Sequence, residues 1–446
     1  MKILFVSLGC DKNLVDTEEM LGLLKQKEYE LTNDEAEADI IIINTCCFIH
    51  DAKKESIESI LEMAEHKKSG QCKALIVTGC LGQRYKDEIL REIPEIDAIV
   101  GTASIDRIDE AVESALEKKE KYFLDPIDRL PVVKADRVCV TGGWYEYLKI
   151  AEGCDKNCTY CIIPKVRGRY RSYPMNYLLG RARDLVAGGA KEIILVAQEV
   201  TKYGTDLPGK HKMLVRLIKG LAGIQGLEWI RLLYCYPEEI TDDLINLMQN
   251  EPKLCNYIDM PIQHASDSVL KYMGRKTDKK HIEKIIKKLR AKIPDICIRT
   301  TLISGFPGER DYDHRTVKDF VKFHEFDRLG VFTYSPEEGT PAEKFSGQIP
   351  EEIKNERRNE IMELQQEISK KRSASFVGRV MQAVIDGYIP EDDVYVGRTY
   401  RDAPGVDGNV FITPTDSTSR DMVSGTFVKV KITGSTEYDL IGDIVE

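Results

Sequence analysis

The first hundred residues alternate short apolar runs with longer amphipathic stretches. Three runs of aliphatic and β-branched residues lead directly to Cys10, Cys46 and Cys80. Short, continuously apolar runs of this kind are typical of strands that are buried on both faces. Stretches with helical periodicity, residues 15–27 and 53–67, lie between the runs. This alternation predicts a parallel βαβ sheet in the first part of the chain, residues 1–124.

A cysteine stands at the carboxyl end of each of the three predicted strands. Ligands of parallel sheets bind beyond this end, so three thiolates can meet at one edge although they are far apart in sequence. One such cysteine alone would simply be a small buried residue. Three at the same structural position indicate the ligands of an iron–sulfur cluster, called cluster 1 below: Cys10, Cys46 and Cys80. Cys47 competes with Cys46, which is preferred because it follows Asn44 and Thr45 as the other two follow their glycines.

A linker with two prolines, residues 125–139, leads to a second series of apolar runs over residues 140–372. Six strand-like runs alternate with helical patterns such as residues 214–221 and 281–291, and a long amphipathic helix is predicted within 348–372. Six βα units predict a partial (βα)6 barrel. Chemistry in such barrels belongs at the carboxyl ends of the strands.

The last segment, residues 373–446, changes character. Short strands with glycine turns predict a small β-barrel of about five strands. The segment holds six Lys and Arg residues against twelve Asp and Glu, a balance of −6. A barrel that binds RNA should carry a positive face, whereas an acidic barrel should repel phosphate and attract a basic polypeptide.

Composition narrows the class of protein. The chain has 446 residues, 42% of them hydrophobic, and no apolar run long enough to span a membrane. Twelve cysteines without an export signal indicate a reducing, cytoplasmic setting and metal ligation rather than disulfides. The net charge of −10 argues against coating of nucleic acid through bulk charge.

The sharpest motif is a C-x3-C-x2-C triplet directly after the first strand of the predicted barrel, formed by Cys154, Cys158 and Cys161. Three thiolates can hold three irons of a [4Fe–4S] cluster, called cluster 2 below, and leave the fourth iron open to a small molecule. A zinc site is the alternative. Zinc usually takes four ligands, often as paired C-x2-C elements, and no second pair lies nearby.

The spacing of this triplet is that of the radical S-adenosylmethionine (SAM) enzymes. With the three amino-terminal cysteines and a terminal barrel of TRAM type, the whole chain resembles the methylthiotransferase family of these enzymes. The start S-L-G-C-D-K-N and the stretch G-R-T-Y-R-D-A-P-G-V-D-G resemble the branch that modifies an aspartate of small-subunit ribosomal protein S-twelve. The branch that modifies tRNA usually reads G-C-Q-M-N where this chain has G-C-D-K-N. The doubled Cys46–Cys47 departs from the family pattern.

The resemblance implies two [4Fe–4S] clusters and SAM as cofactors. Cluster 2 would bind SAM and release a 5′-deoxyadenosyl radical, which removes hydrogen from the β-carbon of the aspartate. Cluster 1 would hold the sulfur that is delivered to this carbon. SAM would serve both as methyl donor and as radical source, and a sulfur donor and an electron donor would be further partners.

Polar side chains near the predicted barrel mouth are candidates for binding SAM or substrate. Their alternative explanation is that loops at a barrel mouth are polar because they meet water. The candidates lie in the cysteine loop, at the ends of the second and fourth strands, and in the fifth strand: Tyr160, Gln198, Glu199, Gln263, His264 and Arg299.

Two other functions stay open from the sequence. The same chemistry on tRNA would need a basic groove at the barrel mouth, built from residues 167–171, Lys202, Arg275, Lys276, Lys279 and Lys280. A non-catalytic iron–sulfur protein that binds the ribosome as a sensor would hold clusters but release no 5′-deoxyadenosine.

Overall fold

The computed structural model describes residues 1–414 and 422–445. Four of the charges counted for the last segment lie outside the described residues: Asp416, Arg420, Asp421 and Glu446. The described chain forms a parallel sheet with helices, a partial barrel of βα units and a small closed β-barrel. The predicted mixed α/β fold class is therefore confirmed.

The first unit is a six-stranded parallel sheet in the order β2-β1-β3-β4-β5-β6. Its strands are β1 (Lys2–Ser7), β2 (Glu30–Leu31), β3 (Ile40–Thr45), β4 (Ala74–Thr78), β5 (Ala98–Val100) and β6 (Tyr122–Phe123). Its helices are α1 (Asp11–Gln26), α2 (His50–Ser69), α3 (Gly79–Arg84), α4 (Lys86–Glu92) and α5 (Ile108–Glu117). Strands β3 and β4 are buried along their whole length, as their apolar sequences predict. Helix α1 begins at Asp11, ahead of the predicted start at residue 15. The sequence pattern missed the first turn because that turn is polar and carries no apolar periodicity.

The middle unit contains the six main strands of the partial barrel and one short strand pair. Its strands are β7 (Tyr145–Lys149), β8 (Ala151–Glu152), β9 (Arg171–Ser172), β10 (Glu192–Val196), β11 (Trp229–Leu232), β12 (Tyr257–Asp259), β13 (Cys297–Ser304) and β14 (Arg328–Thr333). Its helices are α6 (Ile163–Arg167), α7 (Met175–Ala187), α8 (Leu214–Ala222), α9 (Asp242–Asn250), α10 (Asp267–Tyr272), α11 (Lys279–Lys292), α12 (Asp311–His324) and α13 (Glu351–Ala374).

The six main strands lie in two parallel sheets, β7-β10-β11 and β12-β13-β14. Backbone hydrogen bonds join the two sheets, for example from Cys255 N–H to Ile230 O at 2.9 Å. The pair β8 and β9 closes the base of the loop between them. This loop carries the C-x3-C-x2-C triplet, so its two ends are fixed next to the carboxyl end of β7.

The last unit is a closed barrel in the order β15-β16-β17-β19-β18. Its strands are β15 (Val380–Ile389), β16 (Val394–Thr399), β17 (Val410–Thr413), β18 (Phe427–Ser435) and β19 (Leu440–Val445). Apolar side chains that alternate along the strands fill its interior. Short 3₁₀ helices lie in the first and middle units at Glu35–Glu37, Ile105–Arg107, Val200–Lys202, Pro237–Glu239 and Pro341–Lys344.

One hydrophobic cluster draws side chains from all three units. Val15 of α1, Ile194 of β10 and Cys297 of β13 pack with Val384 and Ala403 of the terminal barrel. Each of these five residues is at least 98% buried. The apolar contact of all three units fixes the first sheet beside the partial barrel. In the described part of the chain, no helix is long and apolar enough to cross a membrane.

Candidate iron–sulfur and substrate site

The triplet of cluster 2 occupies the loop after β8. Cys154 and Cys158 are buried and Cys161 is partly exposed. Burial raises the pKa of the Cys154 thiol to about 11, and the neighbouring thiol of Cys158 acts in the same direction. Burial and Cys158 also raise the pKa of Cys161. Thiols bind a metal as thiolates, so a metal cation at this loop would have to compensate the charge of deprotonated Cys154 and Cys161.

The three cysteines predicted for cluster 1 are brought together at the carboxyl edge of the first sheet. Cys10 is the residue before α1, Cys46 follows β3 and Cys80 is the second residue of α3. Burial, together with the neighbouring thiols of Cys80 and Cys10, raises the pKa of Cys46 to about 12. Burial and the thiol of Cys10 also raise the pKa of Cys80.

Glycines permit this close approach of the cysteine loops. Gly9 has φ +92°, and a Cβ at this position would stand 2.7 Å from Cys46 Cβ. Gly79 has φ +88°, and its added Cβ would stand 2.4 Å from Thr45 O. Both conformations are open to glycine and strained for other residues. The glycines that precede Cys10 and Cys80 are therefore needed by the site itself.

Cys46 and Cys47 face different surroundings. The backbone N–H of Cys46 donates to Ser56 Oγ and the Ser56 hydroxyl donates to Cys46 O, which holds this residue in place. Cys47 is fully buried among the apolar side chains that pack beneath the sheet, and Arg84 is its nearest cation. Both thiols interact electrostatically with Cys80, and of the two the thiol of Cys46 is the one that also interacts with Cys10.

These donor sets fit iron–sulfur clusters rather than single ions. Among residues 1–414 and 422–445, no group of three His, Cys, Asp or Glu side chains closes around one metal ion. A cluster is a cube whose ligands bind separate corners, so its thiolates stand further apart than those around one ion. Both triplets consist only of cysteines, which is the donor type that iron–sulfur clusters require.

The acidic candidate Glu199 lies buried next to the triplet of cluster 2. Both of its carboxylate oxygens lack a hydrogen-bond donor in the protein, and so does Gln198 Oε1. Burial raises the pKa of Glu199 to about 7, although Lys156 Nζ stands 3.3 Å from its Oε1. Cys154 interacts electrostatically with this carboxylate. Unpartnered acceptors beside a metal site fit a ligand that brings its own N–H donors.

Two further candidates are partly buried at the mouth. Tyr160 lies within the cysteine loop with its ring edge-on to Phe306, 6.3 Å between centroids. Gln263 has φ +71°, and its backbone N–H donates to Thr301 O of β13. This strained conformation holds the residue at the end of the sheet.

His264 and Arg299, two further predicted cofactor-binding residues, have partners within the protein. His264 is buried, its Nδ1 accepts the backbone N–H of Ser266 at 2.9 Å, and its Nε2 faces Glu309 Oε2 at 3.7 Å. Arg299 donates to Asp259 Oδ1 at 2.7 Å and stands 3.4 Å from Asp407 of the terminal barrel. His264 therefore supports a turn, and Arg299 an interdomain contact.

Arg275, which the sequence analysis named only as part of a basic groove, and Tyr236, which it did not name, are neighbours of the cluster 2 triplet. Arg275 is buried over the ring of Tyr236 at 4.4 Å, and its Nε and Nη1 have no hydrogen-bond acceptor in the protein. Electrostatic contact with Cys158 places both residues beside the triplet. Neither residue lies in a motif, so only the folded chain could reveal them.

Three family models match the chain in order. They are "Uncharacterized protein family UPF0004" over residues 2–101, "Radical SAM superfamily" over 148–321 and "TRAM domain" over 377–445. Among solved structures, the radical SAM methyltransferase TsrM from Kitasatospora setae aligns with a TM-score of 0.57 at 13% identity, covering 76% of this chain and 73% of that one. The cobalamin-dependent radical enzyme OxsB aligns with a TM-score of 0.51 at 14% identity, covering 83% and 56%. These two likenesses show the fold.

The curated relatives are much more similar. A ribosomal protein uS12 methylthiotransferase RimO from Lachnoclostridium phytofermentans is 57% identical over 442 residues, which cover 99% of each chain. RimO proteins from Acetivibrio thermocellus and Geobacter sulfurreducens are each 49% identical and cover 100% of this chain and 98% of theirs.

The partial barrel with its three-cysteine loop defines a radical SAM enzyme, a transferase in this case. Within this class, the chain belongs to the RimO family of ribosomal protein uS12 methylthiotransferases. Its cofactors are accordingly two [4Fe–4S] clusters and SAM.

Proposed function

We propose that the chain inserts a methylthio group at the β-carbon of an aspartate in ribosomal protein uS12, and that it acts in the cytoplasm. The observation that carries the proposal is the presence of two all-cysteine triplets, one on the first sheet and one on the partial barrel. Relatives that match the whole chain carry this activity in their names. In this proposal, uS12 and the ribosomal protein S-twelve named in the sequence analysis are one and the same substrate.

The two triplets have different roles in this proposal. Cys154, Cys158 and Cys161 would hold cluster 2, and Cys10, Cys46 and Cys80 would hold cluster 1. When bound, the cofactors supply a carbon-centred radical from SAM and a sulfur atom for transfer. The first triplet lies at the ends of strands of the first sheet and the second in a loop whose ends β8 and β9 fix, and this placement would hold radical and sulfur within reach of one another.

Side chains beside cluster 2 are suited to hold SAM. The buried carboxylate of Glu199, which faces Lys156 but accepts no hydrogen bond, would accept one from the SAM amino group, and Gln198 Oε1 would accept a further N–H. Partly buried Tyr160 would offer an aromatic face to the adenine. Gln263, His264 and Arg299 would stand at the rim of this pocket, where His264 and Arg299 are also held by protein partners.

The terminal barrel supports a basic protein substrate. Of its described charged residues, Arg398, Arg401 and Asp402 are buried, Asp407 is paired with Arg299, and Asp386 is bound by Arg398. Three basic residues remain at the surface, Arg379, Lys429 and Lys431, against six acidic ones, Glu391, Asp392, Asp393, Glu437, Asp439 and Asp443. The surface of the described barrel is therefore acidic, which favours docking of a basic polypeptide.

The basic groove required for a tRNA substrate is weakened by the fold. Arg167 and Arg275 are buried, and Lys202 is bound by Asp155 at 2.6 Å. Arg169, Lys276 and Lys280 are the members of that set that remain exposed, which leaves limited positive surface for phosphate.

We also propose a division of labour along the chain. Residues 1–124 would form the methylthiotransferase domain with cluster 1, and 125–139 a linker. Residues 140–372 would form the radical SAM domain, and 373–446 the TRAM-type substrate-binding domain. The sulfur donor and the electron donor would be separate molecules.

The experiment offers the enzyme both substrates at once. Chain reconstituted anaerobically with iron and sulfide is incubated with SAM, a reductant, uS12 and unmodified tRNA, and both products are analysed by mass spectrometry. A methylthio mass gain on an aspartate of uS12 supports the proposal. A gain on an adenosine of the tRNA, with none on uS12, would overturn the proposed substrate and leave the radical chemistry in place.

A further inference from the structure

One buried arginine connects the two cysteine sites. Arg167 is the last residue of α6, six positions after Cys161, and only 3% of its surface is exposed. Its side chain crosses from the partial barrel to the first sheet. It is one of three arginines in the segment 167–171, and its neighbour Arg169 is exposed to solvent.

The guanidinium of Arg167 contacts cluster 1 and the helix that follows it. Nε–H donates to Cys80 Sγ at 3.4 Å. Nη1–H donates to Asp16 Oδ2 at 2.7 Å, and Nη2–H donates to Asn13 Oδ1. Asp16 and Asn13 lie in the first two turns of α1, directly after Cys10. One side chain thus touches a predicted ligand of cluster 1 and the helix that positions another.

The charge of Arg167 is fixed by a buried network. Asp16 also binds Lys149, and Lys149 binds Glu152 at 2.5 Å. Two cations and two carboxylates therefore balance one another when the thiol of Cys80 is neutral. A guanidinium stays protonated in such surroundings, because the carboxylates favour its charged form. Binding of a negatively charged cluster at Cys80 would add an anion that Arg167 alone faces at hydrogen-bond distance.

We propose that Arg167 is a positioning residue for cluster 1: it donates a charge-assisted hydrogen bond to the Cys80 sulfur and raises the reduction potential of the cluster. Reduction adds negative charge to a cluster, and hydrogen bonds to its sulfurs stabilise the reduced form. The same guanidinium holds the cluster 1 edge against the segment after the cluster 2 loop. The inference rests on the proposed assignment of Cys10, Cys46 and Cys80.

The test measures cluster 1 alone in the full-length chain. Substitution of Cys154, Cys158 and Cys161 by Ala removes cluster 2, and the midpoint potential of cluster 1 is followed by redox titration with electron paramagnetic resonance. In this background, Arg167→Gln is expected to make the reduction equilibrium about tenfold less favourable, which is ~59 mV for one electron. Arg167→Lys keeps the charge and loses the forked donor, so its shift has the same sign and is smaller. Arg169→Gln is the matched control on the same loop and should leave the potential unchanged.

A purely structural role for Arg167 would lower the iron content without moving the potential of the clusters that remain. If Arg167→Gln fails to retain iron, the Arg167→Lys chain decides the question. Potentials of both variants equal to that of the control would overturn the inference alone. Absence of iron from the background chain would overturn the cysteine assignment and, with it, the proposed function.

Discussion

Thiols in each triplet are stabilised in the neutral form by burial, among them those of Cys154 and Cys46. Burial raises the pKa of Cys154 to about 11 and that of Cys46 to about 12. Each thiol must lose its proton before it binds iron, so assembly of either cluster releases protons. The site is therefore built for a cation that compensates several thiolates at once. A single buried cysteine with the same pKa would remain a neutral packing residue.

Cys46 and Cys47 should differ in iron binding. Cys46→Ala removes the thiol that interacts with Cys10 and Cys80, so iron after anaerobic reconstitution should fall from about eight atoms per chain to about half. Cys47→Ala, the matched control, removes a thiol from the hydrophobic core and should keep the full iron content. The reverse result would exchange the roles of the two residues.

Because of Glu199, the stability of the metal-free protein should depend on pH. Its pKa is raised to about 7 in the folded chain by burial, and in the unfolded chain it is near the ordinary value of 4.5. The protonated form of Glu199 favours the folded chain. This stabilisation is fully present at pH values below the pKa of Glu199 in the unfolded chain, and it is lost as pH rises through its pKa in the folded chain. Glu199→Gln does not titrate, so its advantage in stability over the natural chain should grow between pH 5 and pH 8, by up to about 3 kcal/mol.

Unfolding of the metal-free chains at both pH values tests this expectation. Glu228→Gln, an exposed glutamate of the same unit, is the control and should show the same difference from the natural chain at both pH values. Equal advantages of Glu199→Gln at pH 5 and pH 8 would contradict the account. SAM binding should weaken about tenfold in Glu199→Gln, because a charge-assisted hydrogen bond is replaced by a neutral one.

At the scale of elements, buried ion pairs fasten the terminal barrel to the partial barrel. Arg398 of β16 binds Glu192 of β10 at 2.8 Å and Asp386 of β15 at 2.7 Å, and both it and Glu192 are buried. Arg398→Ala would break two ion pairs and leave the buried Glu192 carboxylate with Arg231 alone, which should cost about 3 kcal/mol. The control Arg379→Ala breaks a pair with Asp295 that is about half exposed and should cost less than about 1 kcal/mol. Equal shifts of the thermal midpoint would show that the contact does not stabilise the two units.

Strands β1, β3 and β4 of the first sheet could be predicted because they are continuous apolar runs, whereas β2, β5 and β6 are only two or three residues long and give no such pattern. Helix α13, Glu351–Ala374, was predicted within 348–372 because a proline precedes it and acids lead to bases along it. The convergence of Cys10, Cys46 and Cys80 followed from the rule that parallel strands end at one edge. The contacts of Arg167 and Arg275 could not be predicted, because they depend on how the cysteine loop packs against elements far away in sequence.

The polar mouth residues show the same limit. Glu199 follows a strand and so does His264, and nothing in the sequence separates them. Only the fold shows that the Glu199 oxygens lack donors while both nitrogens of His264 face protein groups. Position at a strand end thus predicts proximity to a site, and hydrogen-bond partners decide whether the side chain is available.

At the scale of the whole molecule, charge should govern encounter with the substrate. The chain has a net charge of −10, and the described surface of the terminal barrel is acidic as well. Raising KCl from about 0.05 M to about 0.5 M screens charges at the surface, so KM for uS12 should rise. Cleavage of SAM in the absence of uS12 should not change, because it involves no protein partner. A KM for uS12 that does not change with salt would show that electrostatic attraction does not guide docking.

The central claim is that two cysteine triplets perform separate parts of one reaction. The most direct measurement quantifies 5′-deoxyadenosine and methylthiolated uS12 in the same anaerobic reaction for the natural chain, Cys154→Ala and Cys80→Ala. The account predicts both products for the natural chain, neither for Cys154→Ala, and 5′-deoxyadenosine without methylthiolation for Cys80→Ala. Loss of 5′-deoxyadenosine in Cys80→Ala, in a chain that retains cluster 2, would contradict the separation of roles.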